Sequence, residues 1–404
     1  MQFIAKRLFA KSDNNAQASR PAIMVATLSV SLAVFVILIS TAIVLGYQKE
    51  VEQKIFGFSS HLKVLNIHAL QVPEAYPIQL PPYLEQKIAS TPGVAHIQKV
   101  SAKKGVIKTY DQCSPITLKG LSSTHDTAFI KAALIEGRLP NTSKPANEII
   151  ISKQKANELN LKMGDRIYAY FFEQSIKTRR FTITGIYETH MKHFDATFAL
   201  TDIQTVNQLN NWPTGKYCEM EINVNDETQA TQIQEQIATA LAGFPNIAVV
   251  SSRELYPQVF SWLSMLNVNA WVILVLMLGI AIFTMISGTF ILILEQTQTI
   301  GTLSALGATQ AQLQKLFFRI AARIALKGVV AGNVVALGVW CIISFTDWFT
   351  LNPETYYLDR VPIDMALVPW FVTNIISIAI ICASLLIPTL IIAYIQPSKV
   401  IRFE

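Results

Sequence analysis

The chain has 404 residues, about half of them hydrophobic and only 15% charged, with a formal charge of +6 at pH 7. That length leaves room for two or three domains, and so apolar a balance argues against an ordinary soluble protein. No interleaving of aromatic and basic residues marks a nucleic-acid surface.

The charges are unevenly spread. No Asp, Glu, Lys or Arg occurs between Arg20 and Lys49, Glu254 and Glu295, Lys327 and Asp347, or Asp364 and Lys399. Each gap holds an apolar run near or above the ~20 residues that cross ~30 Å of hydrocarbon. Membrane-spanning helices are therefore expected over 22–46, 268–294, 320–346 and 366–394. The first run is longer than a signal core and lacks a small-residue cleavage site, so it reads as an uncleaved anchor.

Orientation follows from the basic residues, which collect on the cytoplasmic side of a bilayer. Lys6, Arg7, Lys11 and Arg20 precede the first span; Lys315, Arg319 and Arg323 separate the second and third; Lys399 and Arg402 close the chain. The link 347–365 carries Asp347, Glu354, Asp359 and Asp364 against Arg360. Cytoplasmic segments are thus expected at 1–21, 295–319 and 395–404, with 47–267 and 347–365 outside.

Beyond the first span, Tyr47, Val51 and Ile55 keep helical spacing amid charged neighbours, which predicts a stalk helix over 47–57 stopping at Gly57. Before the second span, Leu255, Val259, Trp262 and Leu266 step by four, three and four, a short heptad-like seam in a second stalk over 253–267. Paired, the two stalks would form a stiff lever.

The region between them reads as α+β. A strand at 61–67, a helix at 81–90 and a strand from Val94 match in order a strand at 218–224, a helix at 227–242 and a strand at 247–251. Either the two pieces are a pseudo-repeat that folds together, or two short α/β units are alike by chance. Alternating apolar residues in Asn147-Glu-Ile-Ile-Ile-Ser, Met163-Gly-Asp-Arg-Ile-Tyr and Arg180-Phe-Thr-Ile-Thr predict a β-rich subdomain inserted over 125–212. Cys113 and Cys218 lie in this region and could pair in an oxidising compartment or stay free; Cys341 and Cys382 fall in spans.

Catalytic signatures are missing. The chain has no Gly-x-x-x-x-Gly-Lys-Ser/Thr loop, Gly-x-Ser-x-Gly elbow or His-Glu-x-x-His helix. His190, His193 and Asp195 could ligate a metal but fit an ordinary surface loop better. Gly328 and Gly332 offer a small-residue face for close helix packing in the third span. Arg323 and Lys327, in the first turns of that span, can snorkel to lipid headgroups. Pro369 and Pro388 should kink or end the fourth helix.

Between the second and third spans stands Ile300-Gly-Thr-Leu-Ser-Ala-Leu-Gly-Ala-Thr. Ile300, Leu303 and Leu306 recur every third residue, close enough to helical spacing to suggest one shared face. Gly301 and Gly307 bracket it around Ala305. On spacing alone this is either a docking face or a plain hairpin between two membrane helices.

This stretch resembles the coupling helix of permease subunits in the FtsX-like, lipoprotein-releasing (LolC/LolE-type) class of ABC transporters. Glu136-Gly-Arg-Leu-Pro, Gly185-Ile-Tyr-Glu-Thr, Phe260-Ser-Trp-Leu and Pro397-Ser-Lys-Val-Ile-Arg extend the likeness over most of the chain. Gln296 and Ser304 stand where basic residues are expected in many relatives, which bears on the ionic character of docking. The resemblance implies four membrane helices with a large α+β extracytoplasmic domain, of the MacB-like periplasmic core type, between helices one and two. It further implies a non-catalytic inner-membrane subunit without cofactor that transmits motion. Its partners would be a separate cytoplasmic ATPase dimer, a second permease subunit, lipoprotein cargo and a periplasmic carrier. Ile300, Gly301, Leu303, Ala305, Leu306 and Gly307 would meet the ATPase. A permease for efflux or cell-wall hydrolase control is the near alternative; a membrane-tethered binding or sensor protein is the distant one.

Overall fold

The computed structural model describes residues 19–391 except 73, 111, 173–175, 347–349, 353–355 and 359. Lys6, Arg7, Lys11, Asp347, Glu354, Asp359, Lys399, Arg402 and the Pro397 motif lie outside the described residues. The rest falls into two units. A helical unit takes the described parts of Met1–Gln48, Trp262–Thr350 and Arg360–Glu404; a sheet unit takes those of Lys49–Ser261 and Leu351–Asp359.

Among the described residues, four helices are long and apolar enough to cross a membrane. The first, Ser19–Ser59, has 41 residues, about 60 Å at ~1.5 Å per residue, twice the hydrocarbon thickness. It runs through Gly57, the expected stop, and ends where Ser60 adopts φ 61°. Gly57 serves close packing instead, since a Cβ there would come within 2.5 Å of the Phe129 ring.

The second helix, Pro257–Glu295, starts on a proline whose missing N–H costs nothing at that position. Leu255 belongs to the preceding short turn Ser252–Leu255, so the expected seam loses its first member to the break at Tyr256. The third, Gln310–Phe345, begins ten residues before its expected start, on a capping box between Thr309 and Gln312. Helix four, Leu367–Ser384, tolerates Pro369 in its first turn. It stops four residues before Pro388, whose ring opposes the carbonyl of residue 384, and a short helix Leu386–Ile391 follows.

The helical core joins Val30, Val34 and Leu38 of helix one to Met285 of helix two, Ala321 of helix three and Ile381 of helix four. Gly328 and Gly332 lie against helix one so closely that added Cβ atoms would meet Val30 Cβ at 2.8 Å and the Ser31 carbonyl at 2.6 Å. Asn333 and Asn374 exchange amide hydrogen bonds of 2.7 and 3.1 Å between helices three and four. Each amide also donates to a carbonyl one turn back, at Val329 and Trp370.

The sheet unit is built on ten strands: β1 Leu62–Asn66, β2 Val94–Lys108, β3 Cys113–Leu121, β4 Leu134–Gly137, β5 Glu148–Ser152, β6 Arg166–Phe171, β7 Lys177–Tyr187, β8 Phe198–Asp202, β9 Glu219–Val224 and β10 Ile247–Ser251. Their order is β10-β1-β9-β2-β3-β8-β5-β7-β4, with β6 pairing β2 and β7. The two strand–helix–strand pieces interleave, since β10, β1, β9 and β2 alternate between them and are mutually antiparallel. Helices Pro82–Ala89 and Ala230–Ala240 cover one face of these strands through Leu84, Ile88, Ile233 and Ile237.

Residues 125–212, expected as an inserted subdomain, contribute β4 to β8 to the same sheet but bury a separate core around Ile149, Ile151, Phe171 and Phe181. Strands β3 and β8, not anticipated from the sequence, pair in parallel and carry the sheet across between the two cores.

Candidate functional site

The segment after helix two folds as a helix, Thr297–Ala305, and Leu306 closes it. Gly307 takes φ 92° and donates to the Ser304 carbonyl, while Ala308 donates to that of Leu303. This six-to-one and five-to-two pair is a Schellman stop, which needs a residue tolerant of the left-handed region. Two residues later Thr309 caps helix three, so the chain reverses within a few residues.

The expected shared face does not form. Steps of three residues turn about 300° rather than a full circle, so each member drifts from the last. Ile300 is 2% exposed and, with Leu303 packed at its edge, joins the core of the chain's own helices; Leu306 is 80% exposed. Gly301 is buried within the helix. The outward face instead carries Gln298, Thr302, Ala305 and Leu306, spaced by four, three and one. Ile300 and Leu303 thus seat the helix, and Leu306 with Ala305 is what a partner could touch.

The stalk residues are placed within each unit. In the helical unit Tyr47 meets Trp262 edge-on at 5.6 Å, and Gln48 donates to the Leu263 carbonyl at 2.9 Å. Leu263, absent from the expected seam, is buried, whereas Leu266 is half-buried. In the sheet unit Val51 and Ile55 are fully buried, Val259 is half-buried, Phe56 stacks on Phe260 at 6.0 Å, and Arg253 pairs with Glu52 at 3.0 Å.

A buried ion cluster escaped the sequence reading. Strand residues alternate faces; Met220 and Ile222 of β9 face the helices, which turns Glu219 and Glu221 to the other side with Lys63 of β1 and Lys119 of β3. Glu221, 0% exposed, accepts from Lys119 at 2.7 Å and from Gln98 at 2.9 Å. Lys63 lies 2.7 Å from Glu219 and 3.2 Å from Glu221. Burial alone would raise the Glu221 carboxyl, but the ammonium groups of Lys119 and Lys63 overcome it and hold it well below the usual carboxylate range.

Lys119 also donates to the Phe58 carbonyl and sits 4.9 Å above the Phe58 ring, tying the end of helix one to the sheet. Where the chain leaves again, Ser252 donates from Oγ to the Ser60 carbonyl and from its backbone to that of His61. His125 packs nearby with Nδ1 buried and unpartnered; burial, reinforced by Lys119, lowers its pKa to about 4.

Of His190, His193 and Asp195, the last is held by its own loop. The Asp195 carboxylate accepts from the backbone and hydroxyl of Thr189, and among the described residues no group of three His, Cys, Asp or Glu is placed to hold a metal. Cys113 and Cys218 are free thiols; Cys218 Sγ accepts from the Ala102 amide at 3.0 Å, and burial raises its pKa to about 12.

Residues 23–240 match the MacB-like periplasmic core domain, and residues 271–397 match the C-terminal part of FtsX-like permeases. The chain belongs to this family of membrane permeases with a MacB-like periplasmic core. It is similar to the lipoprotein-releasing system transmembrane protein LolC of Xylella fastidiosa (strain Temecula1), 22% identical over 94% of each chain. It is also similar to the corresponding protein LolE of Haemophilus influenzae, 18% identical over 93% of this chain and 92% of that relative. Among solved structures, the periplasmic region of MacB from Actinobacillus actinomycetemcomitans aligns with a TM-score of 0.35 at 12% identity, covering 49% of this chain and 91% of that one.

Proposed function

We propose that the chain is the non-catalytic permease subunit of an ABC transporter that releases lipoproteins from the bacterial inner membrane. Both termini and the segment 295–319 lie in the cytoplasm, and the sheet unit lies in the periplasm. Four membrane-length helices are half of a usual transporter set, so a second permease, identical or not, completes it. A separate ATPase dimer drives it, and a periplasmic carrier receives the cargo. The similarity to LolC and LolE over nearly the whole chain supports this cargo.

The observation that carries the reading is the helix Thr297–Ala305, seated by Ile300 and ending in an exposed Leu306 between two membrane helices. Leu306 lies within the segment that resembles a coupling helix, and with Ala305 it offers the apolar contact a partner would cover. In the proposed cycle, ATP-driven closure of the ATPases shifts this helix, and the helices seated on it carry the movement outward.

Leu306→Asp tests the docking without touching the chain's own core. Co-purification of the ATPase with the wild-type permease, and its loss by tenfold or more in the variant, is expected. Equal recovery with both would overturn the assignment of this face.

A further inference from the structure

Helix three carries Lys315, Arg319, Arg323 and Lys327 at four-residue spacing, and all four are exposed. The stripe winds slowly around the helix, each rung about 6 Å beyond the last. No Asp or Glu occurs between Glu295 and Asp347, and among the described residues none of the four forms an ion pair. Like charges one turn apart oppose a helix, and an anion from outside the chain relieves that opposition.

Gly328 packs on Thr27 and Val30 of helix one and Gly332 on Ser31 and Val34, so the two helices run side by side in the same direction. Counting back along both, Lys327 stands level with Leu28 and Arg323 with Met24, each an exposed apolar residue. Beyond Lys327 the exposed face of helix three continues as Val330 and Val334. Exposed apolar residues on a membrane helix meet hydrocarbon, where a cation is costly unless it reaches a partner or a headgroup. Arg323 and Lys327, the last two rungs, therefore stand where headgroups give way to acyl chains.

We propose that Arg323 and Lys327 hold the phosphate of one anionic phospholipid, whose acyl chains lie along Val330 and Val334. Arg319 and Lys315 extend the site toward the start of the helix. Guanidinium and ammonium groups bind phosphate through charge-assisted hydrogen bonds, and basic clusters at the end of a membrane helix draw anionic lipid. A soluble protein is the poorer fit, because it does not reach the depth of Met24 and Leu28. The site requires only that the four helices span a bilayer. It depends on neither the cargo nor the ATPase, so failure of the Leu306→Asp test would leave it standing.

The test uses the full-length chain in detergent, titrated with palmitoyl-oleoyl phosphatidylglycerol and with phosphatidylcholine of the same acyl chains, bound lipid being counted by native mass spectrometry. One phosphatidylglycerol per chain is expected to be retained about tenfold better than phosphatidylcholine, and millimolar inorganic phosphate should not displace it. Arg323→Gln/Lys327→Gln should abolish that preference with unchanged thermal unfolding in phosphatidylcholine; Arg323→Lys/Lys327→Arg, which keeps both charges, should retain it. Should the glutamine variant fail to fold, a photoactivatable phosphatidylglycerol on the wild-type chain should label helix three near Lys327. Equal retention of the two lipids, an unchanged preference in the folded glutamine variant, displacement by inorganic phosphate alone, or label confined to other helices would each overturn the proposal. So would loss of ATPase co-purification by the glutamine variant with its lipid preference intact.

Discussion

Glu221 is held by two lysines in a place water does not reach, and breaking such a set from one side is costly. Removing one partner of a buried pair typically costs about 3–5 kcal/mol, because the remaining charge stays desolvated. Here Lys63 still faces Glu221 when Lys119 is gone, so Lys119→Met should cost toward the lower end, about 3 kcal/mol. Lys119→Met/Glu221→Leu should cost less than the sum of the two single changes, as measured by denaturant unfolding of β2 and β3 through amide exchange.

His125 adds a pH dependence. Its unfolded imidazole takes up a proton near pH 6.5 and its folded one only near 4, among Lys119, Glu221, Asp126 and His96. Between those values the unfolded chain binds more protons, so stability is complete above about pH 6.5 and falls as pH drops through 4. The loss amounts to about 3 kcal/mol. Amide exchange in β3 should show this slope, and His125→Gln should flatten it. None of this was legible beforehand. Alternating Lys and Glu in strands reads as a solvated face; here Phe58 covers Lys119 with its ring and takes a hydrogen bond from it on its carbonyl, contacts between residues 61 apart that the strand pattern does not show.

At the scale of elements, the charge-free gaps marked all four membrane-length helices because charged side chains are costly in hydrocarbon and rare there. Their ends were less legible, since a helix does not stop where the bilayer does. Helix one continues past Gly57 to Ser59, and helix three begins at Gln310 through its capping box. The segment after helix two does form a helix, Thr297–Ala305, yet its faces were assigned by three-residue steps that a 3.6-residue turn separates. Telling Ile300 from Leu306 requires knowing which side the neighbouring helices take.

Gly328 and Gly332 fall where helix three touches helix one. Gly332→Val would drive carbons into the Ser31 carbonyl and Val34, an overpacking cost of about 1–3 kcal/mol. The unfolding midpoint of the detergent-solubilised chain should fall accordingly. Gly338→Val, with nothing within 4 Å of its Cβ position, should leave it unchanged.

Across the whole molecule, one helix of 41 residues contributes residues to both units. Between helices three and four an asparagine pair, Asn333 and Asn374, is clasped by two amide hydrogen bonds. The architecture was readable from charge gaps and strand periodicity; the single continuous sheet was not, because β3 and β8 pair in parallel across long sequence separation.

The most direct measurement is lipoprotein release from proteoliposomes holding this chain, its partner permease and the ATPase, with a soluble carrier outside. ATP should move lipoprotein to the carrier with the wild-type chain, and Leu306→Asp should reduce release at least tenfold while the isolated ATPase still hydrolyses ATP. Undiminished release by the variant, or no ATP-dependent release by the wild type, would contradict the proposed function.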